Sequence, residues 1–163
     1  MWFAVSLLLL ILGAGSPLRS QPHANSNEGV IVSPGWLHAD QQRVMVLEAS
    51  WAKPEEAKDY LAGHIPGAVH ANTDHFENGY PRWHLLAPKE LQAAIGRLGI
   101  APAARVVVYG RKPVVAARVW WILHYAGVAD VRFLHGGYEA WTGAGYPGET
   151  AAQVRPGRSS RGK

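Results

Sequence analysis

The chain has 163 residues, of which 48% are hydrophobic and 17% charged, a composition typical of one globular domain and not of a disordered chain. Lys and Arg total 16 against 12 Asp and Glu, but four basic residues follow the last acid: Arg155, Arg158, Arg161 and Lys163. The rest of the chain is therefore neutral, which argues against a basic surface for nucleic acid.

The sequence contains no cysteine. Within these residues, this excludes disulfide bonds, thiolate metal ligands and every mechanism that passes through a cysteine persulfide or thioester. It does not indicate a compartment, because secreted proteins need not contain disulfides.

Residues 2–15 are almost wholly apolar, as in the hydrophobic region of a signal peptide, and too short for a membrane-spanning helix of about 20 residues. We predict a signal peptide and spacer over 1–24, export to the periplasm or the extracellular space, and no integral membrane span. An N-terminal core helix or an uncleaved anchor stays open as an alternative, since no Lys or Arg precedes the apolar run and no clear cleavage motif follows it.

Strand-like and helix-like patterns alternate from residue 30 to about residue 150. Ser33 and Pro34 predict the start of a first helix, and Pro54 predicts the start of another helical turn. Short apolar runs predict strands at 30–32, 44–47, 68–70, 106–109 and 131–134, and apolar periodicity predicts helices at 88–98, 115–125 and 138–142.

This alternation predicts a single α/β domain over 25–150, with a mainly parallel sheet of about five strands and helices on both faces. Residues 151–163 are rich in Arg, Gly and Ser and have no apolar period, which predicts a disordered basic tail.

Two segments carry a family pattern. Residues 60–68 read YLAGHIPGA and residues 134–141 read LHGGYEAW. They resemble the rhodanese signature His-hydrophobic-Pro-Gly-Ala and the closing Gly-Gly-aromatic-x-x-Trp turn of that family. The strand predicted at 106–109 lies between them, where rhodaneses place the strand that ends in the active-site loop. The resemblance covers residues 30–149 and implies a rhodanese-like domain.

Two further segments narrow the resemblance. Residues 46–51 (VLEASW) and 117–121 (ARVWW) are similar to the N-terminal half of tandem-domain thiosulfate or 3-mercaptopyruvate sulfurtransferases, a half that the resemblance implies is non-catalytic. The chain departs from the family at Glu48 and His135, where Asp is usual.

Several motif residues are interpreted as structural. Pro66 forces the preceding residue out of the helical region and Gly67 allows a tight turn. The residues assigned to structural motifs are His64, Pro66, Gly67, Arg118, Gly136, Gly137 and Trp141.

The resemblance implies that an active rhodanese has a Cys at the head of the loop after the central strand, where loop N–H groups stabilise its thiolate and persulfide. In this chain the strand ends at Tyr109, and Gly110 stands at the nucleophile position. We predict no catalytic residue, no cofactor and no covalent sulfur intermediate in this chain.

Arg111 and Lys112 precede a predicted helix N-terminus, with Pro113 suited to its first turn. They are candidates for binding a small oxyanion such as sulfate or thiosulfate. The alternative, which we favour, is a solvated loop with two ordinary charges.

Other patterns indicate no site. Residues 143–148 match G-x-G-x-x-G but contain Pro and follow a helical turn, so they do not predict a dinucleotide site. The spacing of His70, Asp74, His75 and His84 fits no metal motif, which predicts a polar surface loop and no metal.

The aromatic segment Trp120, Trp121, Ile122 and Tyr125 predicts a helix face directed to the core. Exposure of one Trp at an interface is the alternative.

The leading hypothesis is a catalytically silent rhodanese-like domain, the structural half or a truncated form of a sulfurtransferase that moves sulfane sulfur from thiosulfate or mercaptopyruvate. Its expected partners are a Cys-bearing second rhodanese domain and a small sulfur oxyanion. The alternative is a stand-alone module that binds an oxyanion or a protein through residues 110–113. A third hypothesis, an enzyme that uses His and Asp, has no supporting pattern in the sequence.

Overall fold

The computed structural model describes residues 29–150. The signal peptide predicted over 1–24 and the tail predicted over 151–163 lie outside the described residues, so export stays a prediction. No helix in the part of the chain that the structure describes is long and apolar enough to cross a membrane.

One sheet of five strands, all parallel, organises the domain, which confirms the predicted α/β class. The strands are rich in Val, a residue that favours extended backbone in a pleated, buried surface. They are β1 (Ile31–Val32), β2 (Met45–Ser50), β3 (Val69–Asn72), β4 (Arg105–Tyr109) and β5 (Asp130–Leu134). Their order across the sheet is β1-β5-β4-β2-β3.

The register of the strands brings three ionisable side chains from neighbouring strands side by side. Glu48 of β2 lies opposite His70 of β3 and opposite Tyr109 of β4. Because every strand runs in the same direction, the loops that follow them leave the sheet at one carboxyl edge.

Five helices flank the sheet. They are α1 (Pro34–Asp40), α2 (Lys58–Ala62), α3 (Pro88–Arg97), α4 (Pro113–Tyr125) and α5 (Gly137–Gly143). The Ser33 side chain caps α1 by accepting a hydrogen bond from the Trp36 N–H at 3.2 Å, as predicted. The turn predicted from Pro54 is a separate 3₁₀ turn ahead of α2, and α4 begins at Pro113, two residues before the predicted start.

Two apolar cores cover the two faces of the sheet. One lies between the sheet and helices α3 and α4 and includes Leu47, Val108 and Ile122. The other lies between the opposite face and helices α1 and α5 and includes Val107 and Trp141. Helices therefore cover both faces, as predicted.

Candidate functional site

The loop that follows β4 is the candidate site, because ligands of open α/β sheets usually bind at the carboxyl ends of the strands. Gly110, the first residue of this loop, is buried, and its backbone packs against the carbonyl group of Ala49 in β2. A Cβ atom added to Gly110 would overlap the Ala49 carbonyl oxygen and lie 3.5 Å from the Cβ of Ala116. The structure thus leaves no room for a side chain at the predicted nucleophile position.

Arg111 is held by two carboxylates on different helices. Its Nε lies 3.2 Å from Oδ1 of Asp59 in α2, and its Nη1 lies 3.0 Å from Oε1 of Glu139 in α5. All three side chains are about half exposed, so each pair stabilises the fold by at most about 1 kcal/mol. The two carboxylates offset the positive charge that an oxyanion would need.

Lys112 also has a protein partner. Its Nζ lies 5.6 Å from the centroid of the Trp51 ring, within cation–π range. Its carbonyl oxygen accepts hydrogen bonds from the N–H groups of Val115 at 3.0 Å and Ala116 at 3.3 Å. Because Pro113 has no N–H, the first turn of α4 offers an anion fewer donors than an ordinary helix N-terminus.

A buried ion pair lies close to this edge of the sheet. Nδ1 of His70 lies 2.7 Å from Oε2 of Glu48, and Nε2 of His70 lies 2.8 Å from the carbonyl oxygen of Ala52. A carboxylate and a carbonyl only accept hydrogen bonds, so both ring nitrogens carry a proton and the imidazole is positively charged.

The environment of His70 favours this charged form. Burial lowers the pKa of His70, but the hydrogen bonds to Glu48 and to the Ala52 carbonyl, with the nearby charges of Glu48 and Glu55, raise it by more. The pKa is therefore above its ordinary value of 6.5.

Sequence reasoning missed this pair. The available signal was Glu48 itself, a carboxylate inside an apolar strand that must find a partner when buried. The prediction that His70 belongs to a surface loop was wrong, because it is buried in β3, whereas Asp74, His75 and His84 are exposed. Within residues 29–150, no three His, Asp or Glu side chains are arranged to hold a metal ion.

His64 is buried beside α2. Its ring stacks on Tyr60 with 3.9 Å between the ring centroids, and its Nδ1–H donates to the Tyr60 carbonyl oxygen at 2.8 Å. Its backbone N–H and carbonyl both pair with the backbone of Glu149 at 2.8 Å. His64 thus links α2 to the segment after α5.

The turn after His64 is held from several sides. Gly67 has a φ of +74°, in the left-handed region that favours glycine, and its N–H donates to Oε2 of Glu149 at 2.5 Å. The Ile65 N–H donates to the Tyr109 hydroxyl at 3.0 Å, and burial raises the pKa of Tyr109 far above its ordinary value. The Pro66 carbonyl accepts a hydrogen bond from the 3₁₀ turn after α1.

Gly136 and Gly137 lie where β5 turns into α5, both in the left-handed region with φ of +68° and +59°. A Cβ added to Gly137 would lie 3.6 Å from the Gly110 carbonyl oxygen, so α5 begins close to the candidate loop. Trp141 is fully buried on α5, and its indole N–H donates to the Pro147 carbonyl oxygen at 2.7 Å.

Arg118 lies on the other side of the sheet from α5, on α4. Its Nε donates to the buried carboxylate of Glu77 at 2.7 Å, and its Nη2 also contacts that carboxylate. Its guanidinium carbon lies 5.1 Å from the centroid of the Trp121 ring.

The aromatic segment of α4 is only partly buried. Ile122 faces the core, and the partly buried Trp120 donates its indole N–H to the backbone of β5. Trp121 and Tyr125 are exposed, so the prediction that they face the core was wrong. They lie outside the stripe by which α4 packs on the sheet.

We expect Gly110→Ala to lower the free energy of unfolding by about 1–3 kcal/mol, because the added methyl group overlaps the Ala49 carbonyl. The matched control is Gly96→Ala in α3, where a Cβ meets no atom within 4 Å and helix propensity favours Ala by roughly 0.5–1 kcal/mol. Urea unfolding of both variants measures the two effects. Equal stability of Gly110→Ala and the parent chain would contradict the packing described for this loop.

The His70–Glu48 pair predicts a pH dependence. The folded pKa of His70 lies above its unfolded value. The charged pair therefore stabilises the fold fully below pH 6.5, and this stabilisation is lost as the pH rises through the folded pKa. The free energy of unfolding falls by at most about 1.4 kcal/mol per pH unit. Glu48→Gln keeps an acceptor oxygen but removes the charge, and is expected to reduce this loss. Urea unfolding between pH 5.5 and pH 9 (roughly the range in which His titrates) measures it. His75→Gln, a change at an exposed His, should retain the loss; a parent chain whose stability does not fall above pH 6.5 would count against the charged pair.

Comparison with known proteins places this geometry in a family. The sequence model of the rhodanese-like domain family matches residues 33–144 of this chain. Thiosulfate sulfurtransferase YnjE of Escherichia coli is 38% identical over 155 residues, which cover 89% of this chain and 34% of YnjE. Putative thiosulfate sulfurtransferase SseB of Mycobacterium tuberculosis is 40% identical over 121 residues, which cover 69% of this chain and 42% of SseB.

Solved structures show the same fold. The crystal structure of YnjE has a TM-score of 0.68 and 40% identity, over 74% of this chain and 30% of that one. SseA of Escherichia coli, a 3-mercaptopyruvate sulfotransferase, has a TM-score of 0.67 and 27% identity, over 79% of this chain and 53% of that one. The chain spans about a third to a half of the length of these relatives. With its parallel sheet and its family match over residues 33–144, this chain belongs to the rhodanese-like domain family.

Proposed function

We propose that this chain is a catalytically silent rhodanese-like domain, the structural half of a sulfurtransferase that moves sulfane sulfur from thiosulfate or mercaptopyruvate. The observation that carries the proposal is the packing of Gly110 against the Ala49 carbonyl, in a sequence without cysteine. Sulfur transfer through an enzyme-bound persulfide needs a thiolate at this loop, and the loop has neither the residue nor the space for it.

Other nucleophiles do not replace it. Ser50 and Thr73 end or follow strands at the same edge, but their hydroxyl groups are buried without a hydrogen-bond partner, and a hydroxyl needs an adjacent base to attack. The buried imidazole of His70 could serve as such a base only if one ring nitrogen were free. Both are already hydrogen-bonded, one to Glu48 and the other to the backbone carbonyl of Ala52. The described residues therefore support a structural role and offer no replacement for the cysteine nucleophile.

The greater length of the relatives supports a second domain as the partner of this chain. Because this chain aligns with only part of YnjE and SseB, we infer that the reactive cysteine belongs to another rhodanese-like domain, within a longer polypeptide or on a separate chain. The folded half would contribute its stable sheet and its outer surfaces to that assembly.

Purified full chain, assayed for sulfur transfer from thiosulfate to cyanide, is expected to form thiocyanate no faster than buffer does. Thiosulfate sulfurtransferase YnjE, assayed in parallel, shows that the conditions permit turnover. Thiocyanate formation that is proportional to chain concentration and saturates with thiosulfate would overturn the proposal.

Binding of an oxyanion by Arg111 and Lys112 is the less favoured function, because Asp59 and Glu139 already offset the guanidinium charge. Titration with thiosulfate or sulfate, followed by Trp fluorescence, is expected to give no saturable change at millimolar concentrations. A saturable signal that disappears in the double variant Arg111→Ala/Lys112→Ala, but persists in the exposed control Arg97→Ala, would establish the binding module instead.

A further inference from the structure

An exposed band of aromatic side chains crosses α4 and the loop before α3. We call it the aromatic row; its members are Tyr80, Trp83, Arg118, Trp121 and Tyr125. The four aromatic residues are 85%, 44%, 43% and 64% exposed, in the order of the sequence. Of the aromatic residues outside the row, Trp141 is fully buried and Trp51 is 51% exposed, but Trp51 contacts no member of the row.

The members of the row contact one another in sequence. The Tyr80 and Trp83 rings lie edge to face at 6.5 Å, and Arg118 Nη2 donates to the Trp83 carbonyl oxygen at 3.4 Å. The same guanidinium lies over the Trp121 ring, which stacks on Tyr125 at 5.4 Å with 15° between the planes. The row is therefore one continuous surface and not five separate exposures.

Two features hold this surface in place before anything binds. The buried carboxylate of Glu77 fixes the guanidinium of Arg118. Trp83 has a φ of +49°, a backbone conformation that costs a bulky residue about 1–2 kcal/mol. Such strain persists where the surrounding structure enforces it and is concentrated at functional positions. A surface ordered in advance loses less entropy when a partner docks.

The two segments that carry the row contain basic residues and no acidic ones. Neither α4 nor residues 78–87 contains Asp or Glu, whereas both contain Arg, at Arg118 and at the exposed Arg82. The carboxylate of Glu77 is only 3% exposed and points to Arg118. The row thus presents aromatic rings and positive charge to the solvent.

We propose that the aromatic row is the docking surface for a partner protein that presents carboxylates beside an apolar patch. Trp, Tyr and Arg are the residue types in which protein–protein binding energy is concentrated, and they make up the whole row. Complementary charge selects an acidic partner. A second copy of this chain fits poorly, because a symmetric contact would bring the Arg82 and Arg118 side chains of two copies together. The proposal does not depend on catalytic silence.

The test is selection of a displayed random peptide library on the immobilised full chain, followed by titration of the recovered peptides in solution. The peptides are expected to combine Asp or Glu with apolar residues and to bind more weakly as salt increases. Trp121→Ala and Arg82→Glu, both changes at exposed side chains, should each weaken binding at least about tenfold.

Trp36→Ala is the matched control, because Trp36 also carries a guanidinium over its ring, that of Arg132 at 4.7 Å, but packs on the opposite face of the sheet. Trp51→Ala is a second control at an exposed Trp outside the row. Both should retain binding, and thermal unfolding of every variant shows that it is folded.

Four results would overturn the proposal: no peptide is recovered, the recovered peptides lack acidic residues, Trp121→Ala binds them as well as the parent chain, or a folded control loses binding equally. A dimer that dissociates in Trp121→Ala would assign the row to a second copy instead. Binding of single-stranded oligonucleotides or anionic vesicles that requires Trp121, in place of peptide binding, would assign it to those partners.

Discussion

The close approach of Gly110 to the Ala49 carbonyl is the constraint on which the candidate site depends. β2 and β4 are neighbouring parallel strands in the middle of the sheet, and their hydrogen-bonded register fixes the distance between their carboxyl ends. Ala116 closes the same space from α4. Since the sheet and the helix set this geometry together, a side chain at position 110 would require the neighbouring backbone to shift, at a cost in stability.

The rest of the carboxyl edge is closed by contacts within the protein. Arg111 joins α2 to α5 through Asp59 and Glu139, and His70 holds the carbonyl group that follows β2. These contacts stabilise the loops and occupy the charged groups that would otherwise meet a ligand. Exposed Trp51 also follows β2 at this edge, beside Lys112. The aromatic row lies elsewhere, along α4 and the loop before α3, so the proposed docking surface and the family's catalytic position are separate in this chain.

Much of the fold followed from local patterns in the sequence. Short Val-rich runs predicted the parallel strands, and Ser33 before Pro34 predicted the capped start of α1. The loop at Gly110 was identified through the resemblance to rhodaneses, which have their active-site loop after the central strand. The reason that Gly110 must be glycine could not be predicted, because it depends on a carbonyl 61 positions earlier in the chain (Ala49) that only the sheet brings near.

Contacts between residues far apart in the sequence explain the other differences between the predictions and the structure. The sequence shows Glu48 as an unusual carboxylate in a strand, but only the register of β2 and β3 identifies His70 as its partner. Trp121 is apolar and lies in an apolar helix, so a pattern based on hydrophobicity assigns it to the core. Its exposure depends on which side of α4 meets the sheet.

The most direct test of catalytic silence is the intact mass of Gly110→Cys after incubation with thiosulfate, measured beside the parent chain. This variant restores the missing residue type and asks whether the site can use it. We expect that neither protein gains mass, because a side chain at position 110 would clash with the Ala49 carbonyl in the folded domain and leave no space for a reactive thiolate. A folded Gly110→Cys that gains one sulfur atom per chain would contradict it.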